Sequence, residues 1–243
     1  MKGAAPAGAQ TEQEAARLVR GMFGRVAHRY DLANHVLSCN VDRLWRAHTV
    51  HRVRHILERP DARVLDICCG TGDLVLALAK RSPSPVLGSD FSHPMLLEAR
   101  GKAGRRGAHA RLFESDALRL PLRDGALDLL TVAFGFRNLA NYDAGLAEIR
   151  RVLRPGGTAA ILEFSQPPNR AFGALYHFYS RRILPLIGGA LTGHPEAYRY
   201  LPESVRKFPN APQLAADMQR AGFQHVEFEY LTGGIAALHL GRA

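Results

Sequence analysis

Two glycines and two carboxylates, set at short intervals, are the residues of this chain best suited to holding a small polar ligand. Gly70 and Gly72 stand in Asp66-Ile67-Cys68-Cys69-Gly70-Thr71-Gly72-Asp73, which joins the run Arg63 to Ile67 to a helical pattern starting near Leu74. A strand that ends in a tight glycine loop and feeds a helix points unpaired backbone N–H groups at a ligand, and glycine lets the backbone approach it closely. Asp90 closes the next apolar run, Val86-Leu87-Gly88-Ser89, where its carboxylate could accept both hydroxyls of a ribose. Phe113-Glu114-Ser115-Asp116-Ala117 ends a third run. For the loop alone, a structural strand-to-helix turn is the competing reading. For Asp116 it is a helix cap or turn residue.

The loop excludes two common nucleotide sites by pattern. A dinucleotide fingerprint needs a third glycine where the helix packs on the strand, but Asp73-Leu74-Val75 follows Gly72. A phosphate loop needs a Lys-Ser or Lys-Thr pair after the glycines, and there is none. The run instead resembles motif I of the S-adenosylmethionine-dependent methyltransferases, whose loop holds the amino-acid part of the cofactor. The resemblance implies cofactor contacts at Gly70, Thr71 and Asp90, with Asp116 and Ala117 reading the adenine. Cys68 is a departure, because that motif commonly has Gly or Ala there.

At 243 residues, 47% of them hydrophobic, the chain suits one sizeable α/β domain with a real core. Residues 1–10 are rich in Ala, Gly and Pro and read as a disordered N-terminal tail without a signal-peptide core, leaving residues 11–243 as the single domain. The uncharged run Ile183 to Gly193 spans 11 residues and contains Pro185, well short of the ~20 needed to cross a bilayer. Three cysteines, none in a Cys-x-x-Cys spacing, define neither a metal site nor a disulfide framework, so no metal and a cytoplasmic location are expected. Cys68 and Cys69 read as small buried residues rather than redox groups. The net charge of +10 suits a solvated basic face, a nucleic acid or an anionic membrane. No RRM or KH motif accompanies it, so no nucleic-acid partner is expected.

The elements that must position these residues alternate. Thr11-Glu12-Gln13-Glu14 has capping-box spacing and opens a helix toward Tyr30; a second covers Asp42 to Glu58. Strands then fall near 63–67, 85–89, 109–114, 126–132 and 157–163, with helices near 73–81, 92–102 and 142–153. Alternation of this kind implies a doubly wound parallel sheet. Arg154-Pro155-Gly156-Gly157 ends the helix before the fifth strand, and Gly222 to Leu240 reads as a hairpin around Thr232-Gly233-Gly234.

Four ordered segments carry a closer resemblance over almost the whole chain. They are Phe23 through Trp45, including Tyr30-Asp31-x-x-Asn34 and Leu37-Ser38; Phe134-Gly135-Phe136-Arg137-Asn138 with Arg151 to Gly157 and Ile161 to Ser165; Tyr200 to Val205 with Phe208-Pro209; and Leu231 to His239. Together they resemble the ubiquinone and menaquinone biosynthesis C-methyltransferases, which commonly have Met and His where this chain has Ala33 and Asp42. The resemblance implies the class I S-adenosylmethionine-dependent methyltransferase fold, a mostly parallel seven-stranded sheet with an antiparallel C-terminal hairpin strand. It implies transfer of a methyl group to a ring carbon of a polyprenylated quinol. Demethylmenaquinol is the favoured acceptor and a methoxybenzoquinol of the ubiquinone pathway the alternative. Arg137 and Asn138, just beyond the fourth strand, are the candidates for holding the substrate oxygen, with Tyr30 closing the site or relaying a proton. Structural roles for both Arg137 and Tyr30 compete with these. The segment 168–210, rich in Phe, Tyr, Leu and Ile around Arg181-Arg182, is expected to cover the prenyl tail and touch the inner membrane surface; a lid or a homodimer helix would use the same residues. A noncatalytic S-adenosylmethionine-binding protein and a methyltransferase of small soluble molecules are the remaining readings.

Overall fold

Apolar runs separated by glycine-containing turns become seven strands of one sheet. They are β1 (Val64–Ile67), β2 (Val86–Asp90), β3 (Ala110–Glu114), β4 (Leu127–Ala133), β5 (Leu153–Phe164), β6 (Gln224–Leu231) and β7 (Ala236–Arg242). This computed structural model describes residues 3–29, 35, 36, 38, 40–187 and 195–243. The strand order is β3-β2-β1-β4-β5-β7-β6. β1 to β5 run parallel, and β7 lies antiparallel between β5 and β6.

Alternation along each strand feeds two apolar layers. Val64 and Leu129 join Trp45, Leu74 and Val75 on one face, whereas Leu65, Ile67, Leu130 and Val132 join Leu146, Ile149 and Met218 on the other. The first face is covered by α2 (Val41–Arg52) and α3 (Asp73–Ala79); the second by α5 (Tyr142–Val152) and α8 (Ala211–Arg220). Each fully buried Leu or Ile in these layers contributes ~1.5–3 kcal/mol. Before the sheet, α1 (Glu12–Val26) starts with the expected capping box, in which Thr11 and Glu14 satisfy each other's backbone N–H groups. Between β2 and β3 lies α4 (His93–Arg106); α6 (Arg170–Phe178) and α7 (Pro195–Lys207) form the segment between β5 and α8.

Strand order reverses between β1 and β4, so the loops after those two strands diverge and leave a crevice. The glycine loop and the Phe134 to Asn138 turn occupy its two sides.

Three boundaries differ from the sequence expectation. The second helix ends at Arg52, and Arg54–Leu57 forms a separate turn. β5 begins at Leu153 and absorbs Pro155-Gly156-Gly157 as an irregularity in its pairing with β4, with Gly156 at φ +76°. Most consequential is the N-terminal stretch read as a disordered tail. Ala4 is buried and its N–H donates to Leu139 O at 2.7 Å, while Lys207 Nζ donates to Ala5 O at 3.0 Å. A run of small residues fits this seat because a β-carbon on Gly3 would lie 2.3 Å from Ala140.

Candidate active site

The crevice between β1 and β4 opens into a cleft of about 1010 Å³ measured to its mouth. Gly70 and Gly72 adopt φ +54° and +87°, conformations that favour glycine. Gly72 lies against α4, where a β-carbon would meet Ala99 at 3.1 Å. Gly70 lines the cleft, and a β-carbon there would meet no atom within 4 Å. The loop therefore leaves space for a ligand as well as making a turn.

Asp90 ends β2 behind this loop. One carboxylate oxygen accepts Gly70 N–H and the other Ser92 N–H, both at 2.8 Å. Burial pushes its carboxyl up, and those backbone donors oppose the shift. Thr71 also lines the cleft, as do Asp116 and the buried Ala117. Asp116 Oδ1 accepts Leu118 N–H at 2.9 Å, so its turn-stabilising role and its place at the cleft coexist. All five expected cofactor residues thus meet at one cleft. Burial raises the thiols of Cys68 and Cys69, which disfavours thiolate chemistry at either.

The substrate-side residues behave differently from one another. Asn138 lines the cleft, and its Oδ1 accepts Tyr200 Oη–H from α7 at 3.1 Å. Arg137, expected at the substrate oxygen, is 4% exposed and is absent from the described cleft lining. The β4–β5 register puts Glu163 beneath the turn, and that carboxylate takes Arg137 Nη1 at 2.8 Å and Arg137 N–H at 3.0 Å. A second donation from Nη1 reaches Phe134 O. Arg137 is thus paired with a buried acid at the base of the 136–138 turn. Tyr30 lies outside the described residues.

Asp66 and Arg46 are among the cleft residues to which sequence reasoning gave no role. The signal for Asp66 is a carboxylate inside an apolar strand. It is 1% exposed, opposite Thr131 in the β1–β4 register, and accepts Thr131 Oγ1–H at 2.6 Å. Desolvation raises its pKa to about 7, with the Thr131 bond working the other way. Arg46 comes from α2, and no spacing along the chain announces its arrival. Near it, His35, Asp42 and Asp73 bring three ligand-type atoms within 4.8 Å of one another. Arg46 and Lys102 already pair with the two carboxylates.

The residues present fit S-adenosylmethionine. A buried carboxylate sits behind the loop, acceptors flank the glycines, and Asp116 and Ala117 line the same cleft. Fold and cleft together define an S-adenosylmethionine-dependent methyltransferase. A solved methyltransferase of this class from Thermotoga maritima superposes with a TM-score of 0.66 at 17% identity, covering 92% of this chain and 99% of its own. The chain belongs to the ubiE/COQ5 methyltransferase family, whose model matches residues 9–243. A relative from Thermus thermophilus named demethylmenaquinone methyltransferase is 50% identical, over 90% of this chain and 99% of its own length. Another, from Geotalea daltonii, is named ubiquinone/menaquinone biosynthesis C-methyltransferase and is 41% identical over 92% and 95%.

Proposed function

We propose that the protein methylates a ring carbon of a polyprenylated quinol, converting demethylmenaquinol to menaquinol. The observation that carries this reading is the half-identity to a demethylmenaquinone methyltransferase across nearly its full length. When bound, S-adenosylmethionine supplies an electrophilic methyl group. The protein must then hold a ring carbon in line with it and accommodate negative charge on the neighbouring oxygen.

Asn138 is the residue placed to meet that oxygen. Tyr200 holds its carbonyl, which directs the amide N–H groups away from that contact. The amide also lies 3.4 Å from Phe134 O, so the turn and the α7 hydroxyl fix it together. Arg137 supports the same turn from below, and Tyr30 is retained as a proton-relay candidate. Gly70 and Thr71 take the amino-acid end of the cofactor, Asp90 the ribose, and Asp116 with Ala117 the adenine.

Peripheral contact with an anionic membrane belongs to this proposal. Leu175, Phe178 and Leu186 are 65%, 60% and 75% exposed on the segment that follows β5. No acidic residue lies between Glu163 and Glu196, whereas Arg170, Arg181 and Arg182 do. An apolar face ringed by arginines suits the surface from which a lipid-soluble quinol is drawn. Among the described residues no helix is long and apolar enough to cross a membrane.

The test is methyl transfer from labelled S-adenosylmethionine, under anaerobic reducing conditions, to demethylmenaquinol and to the matching methoxybenzoquinol. Transfer to the naphthoquinol is the expected result. Transfer to both would give the enzyme the double role named for the Geotalea relative. Transfer to neither, with cofactor bound, would overturn the quinol reading.

A further inference from the structure

A cofactor that ends in a free amino acid asks two things of its cleft: acceptors for an ammonium group and a cation for a carboxylate. Acceptors are plentiful, because Asp66 and Asp73 both line the cleft beside the glycine loop. Cations are scarce. Among the described lining residues Arg46 alone has a positively charged side chain.

Arg46 is built in rather than draped over the surface. Its side chain is 13% exposed, and its guanidinium lies 5.4 Å from the centre of the Phe134 ring, at the end of β4. One turn earlier on α2, Asp42 pairs with Nη1. Asp42 is itself fixed, accepting Ser38 Oγ–H at 2.6 Å and facing His35 Nδ1 at 3.0 Å. A guanidinium has five N–H donors in a rigid fork, so one contact with Asp42 sets its plane and leaves donors for a second carboxylate.

The balance of charge points the same way. Arg46 acts electrostatically on Asp42, Asp66 and Asp73 together, while Lys102 pairs with Asp73 from the other side. The amino-acid end of the cofactor, placed with its ammonium on the aspartates and its carboxylate on Arg46, meets an opposite charge at each group. In this chain a carboxylate, Asp42, orients the arginine, and His35 pairs with that carboxylate.

We propose that Arg46 binds the α-carboxylate of S-adenosylmethionine and that Asp42 is its positioning residue. The assignment rests on the cleft being the cofactor site. Calorimetry on the full chain tests it with S-adenosylmethionine and decarboxylated S-adenosylmethionine, which differ by the carboxylate alone.

Wild-type protein should prefer S-adenosylmethionine by about 10- to 100-fold, the scale of a charge-assisted pair. Arg46→Met should abolish that preference while leaving affinity for the decarboxylated form within about twofold of wild type. Arg46→Lys should retain part of the preference, and Asp42→Asn should narrow it. Equal affinity of the wild type for the two ligands would overturn the assignment, as would equal losses of both in Arg46→Met. Wild-type protein that binds neither ligand would overturn the cofactor reading of the cleft itself.

Discussion

A β-carbon built on Gly135 would lie 2.3 Å from the β-carbon of Cys68. The two residues follow β4 and β1, the neighbouring strands at which the sheet order reverses, and their loops press together at the floor of the cleft. Cys68 adopts φ +50°, a left-handed conformation that usually favours glycine. The motif resembled by residues 66–73 commonly has a smaller residue there. In this chain the room for the Cys68 side chain comes from the opposite loop, through the glycine of Phe134-Gly135-Phe136.

That relationship predicts a coupling. Gly135→Ala should destabilise the protein by about 1–3 kcal/mol through overpacking. Cys68→Gly alone should change stability by less than about 1 kcal/mol, since relief of the left-handed backbone is offset by added chain entropy. In the double variant the nearest remaining atom of residue 68 is its carbonyl oxygen, at 3.4 Å. Chemical denaturation of all four proteins should therefore show most of the Gly135→Ala loss recovered. Additive effects would mean that the loops separate when crowded.

Arg137 and Glu163 predict a loss of a different kind. Both side chains are nearly inaccessible, at 4% and 1%, and the Glu163 carboxylate also accepts Phe164 N–H at 2.9 Å. Glu163→Gln keeps the shape but leaves a buried guanidinium uncompensated, which should cost about 3–5 kcal/mol. Arg137→Met with Glu163→Gln should recover most of it, because no guanidinium is then left uncompensated and the glutamine carbonyl still accepts a backbone N–H. Thermal melts of the single and double variants provide the check; a double variant as unstable as Glu163→Gln would assign the loss to geometry rather than charge.

The contrast between these sites explains what the sequence made legible. Gly70, Gly72, Asp90 and Asp116 were readable because each sits at a strand end, and strand ends in an alternating sheet converge on one edge. Arg137 was readable as important but not as buried, because Glu163 reaches it only through the β4–β5 register. Arg46 was silent for the same reason, since α2 and β4 are distant in the chain. Ala4 escaped because its contact with Leu139 is made by a backbone N–H, which no side-chain composition reports. The helix end at Val152 fell close to its Pro-Gly-Gly signal, whereas the helix expected to stop near 102 runs on to Arg106, and β5 passes through the same Pro-Gly-Gly run.

Asp66 predicts a pH dependence whose sign runs against the usual carboxylate. Its folded pKa of about 7 lies above the unfolded value, so between pH 4 and 7 the native protein holds a proton that the unfolded chain has released. Its contribution is most favourable below the unfolded pKa and is lost as pH rises through the folded one. The full effect is on the order of 4 kcal/mol. Asp66→Asn should consequently be more stable than wild type at pH 8, with the difference vanishing below pH 4. An ammonium group bound at Asp66 favours the ionised form, so cofactor binding near pH 6 should release protons, and the variant should release fewer. Calorimetry in buffers of different ionisation enthalpy measures this directly. Equal proton release by the two proteins would remove Asp66 from the ammonium site.

The exposed face after β5 predicts salt-sensitive binding to vesicles containing anionic lipid. Replacing Leu175, Phe178 and Leu186 by Ser removes apolar contact without touching the described cleft lining. Vesicle binding should fall by at least about tenfold, while turnover on a short-chain, water-dispersed quinol should stay within about twofold. If the triple variant instead loses self-association and keeps its vesicle binding, the face belongs to a second copy of the chain.

Tyr200 should separate turnover from cofactor binding. Its hydroxyl reaches the cleft only through Asn138 Oδ1, and burial pushes its pKa up to about 12, so it stays protonated and donates throughout the neutral range. Tyr200→Phe leaves the Asn138 amide free to rotate, which misdirects the N–H groups proposed to meet the substrate oxygen. The expected loss in kcat is about 10- to 100-fold, the value of one preorganised donor, with S-adenosylmethionine affinity unchanged. The pH profile should keep its shape, because a tyrosine that never ionises contributes no limb. Steady-state kinetics on the quinol beside calorimetry on the cofactor distinguish the cases: parallel losses in both would make Tyr200 a support for the whole cleft rather than for Asn138.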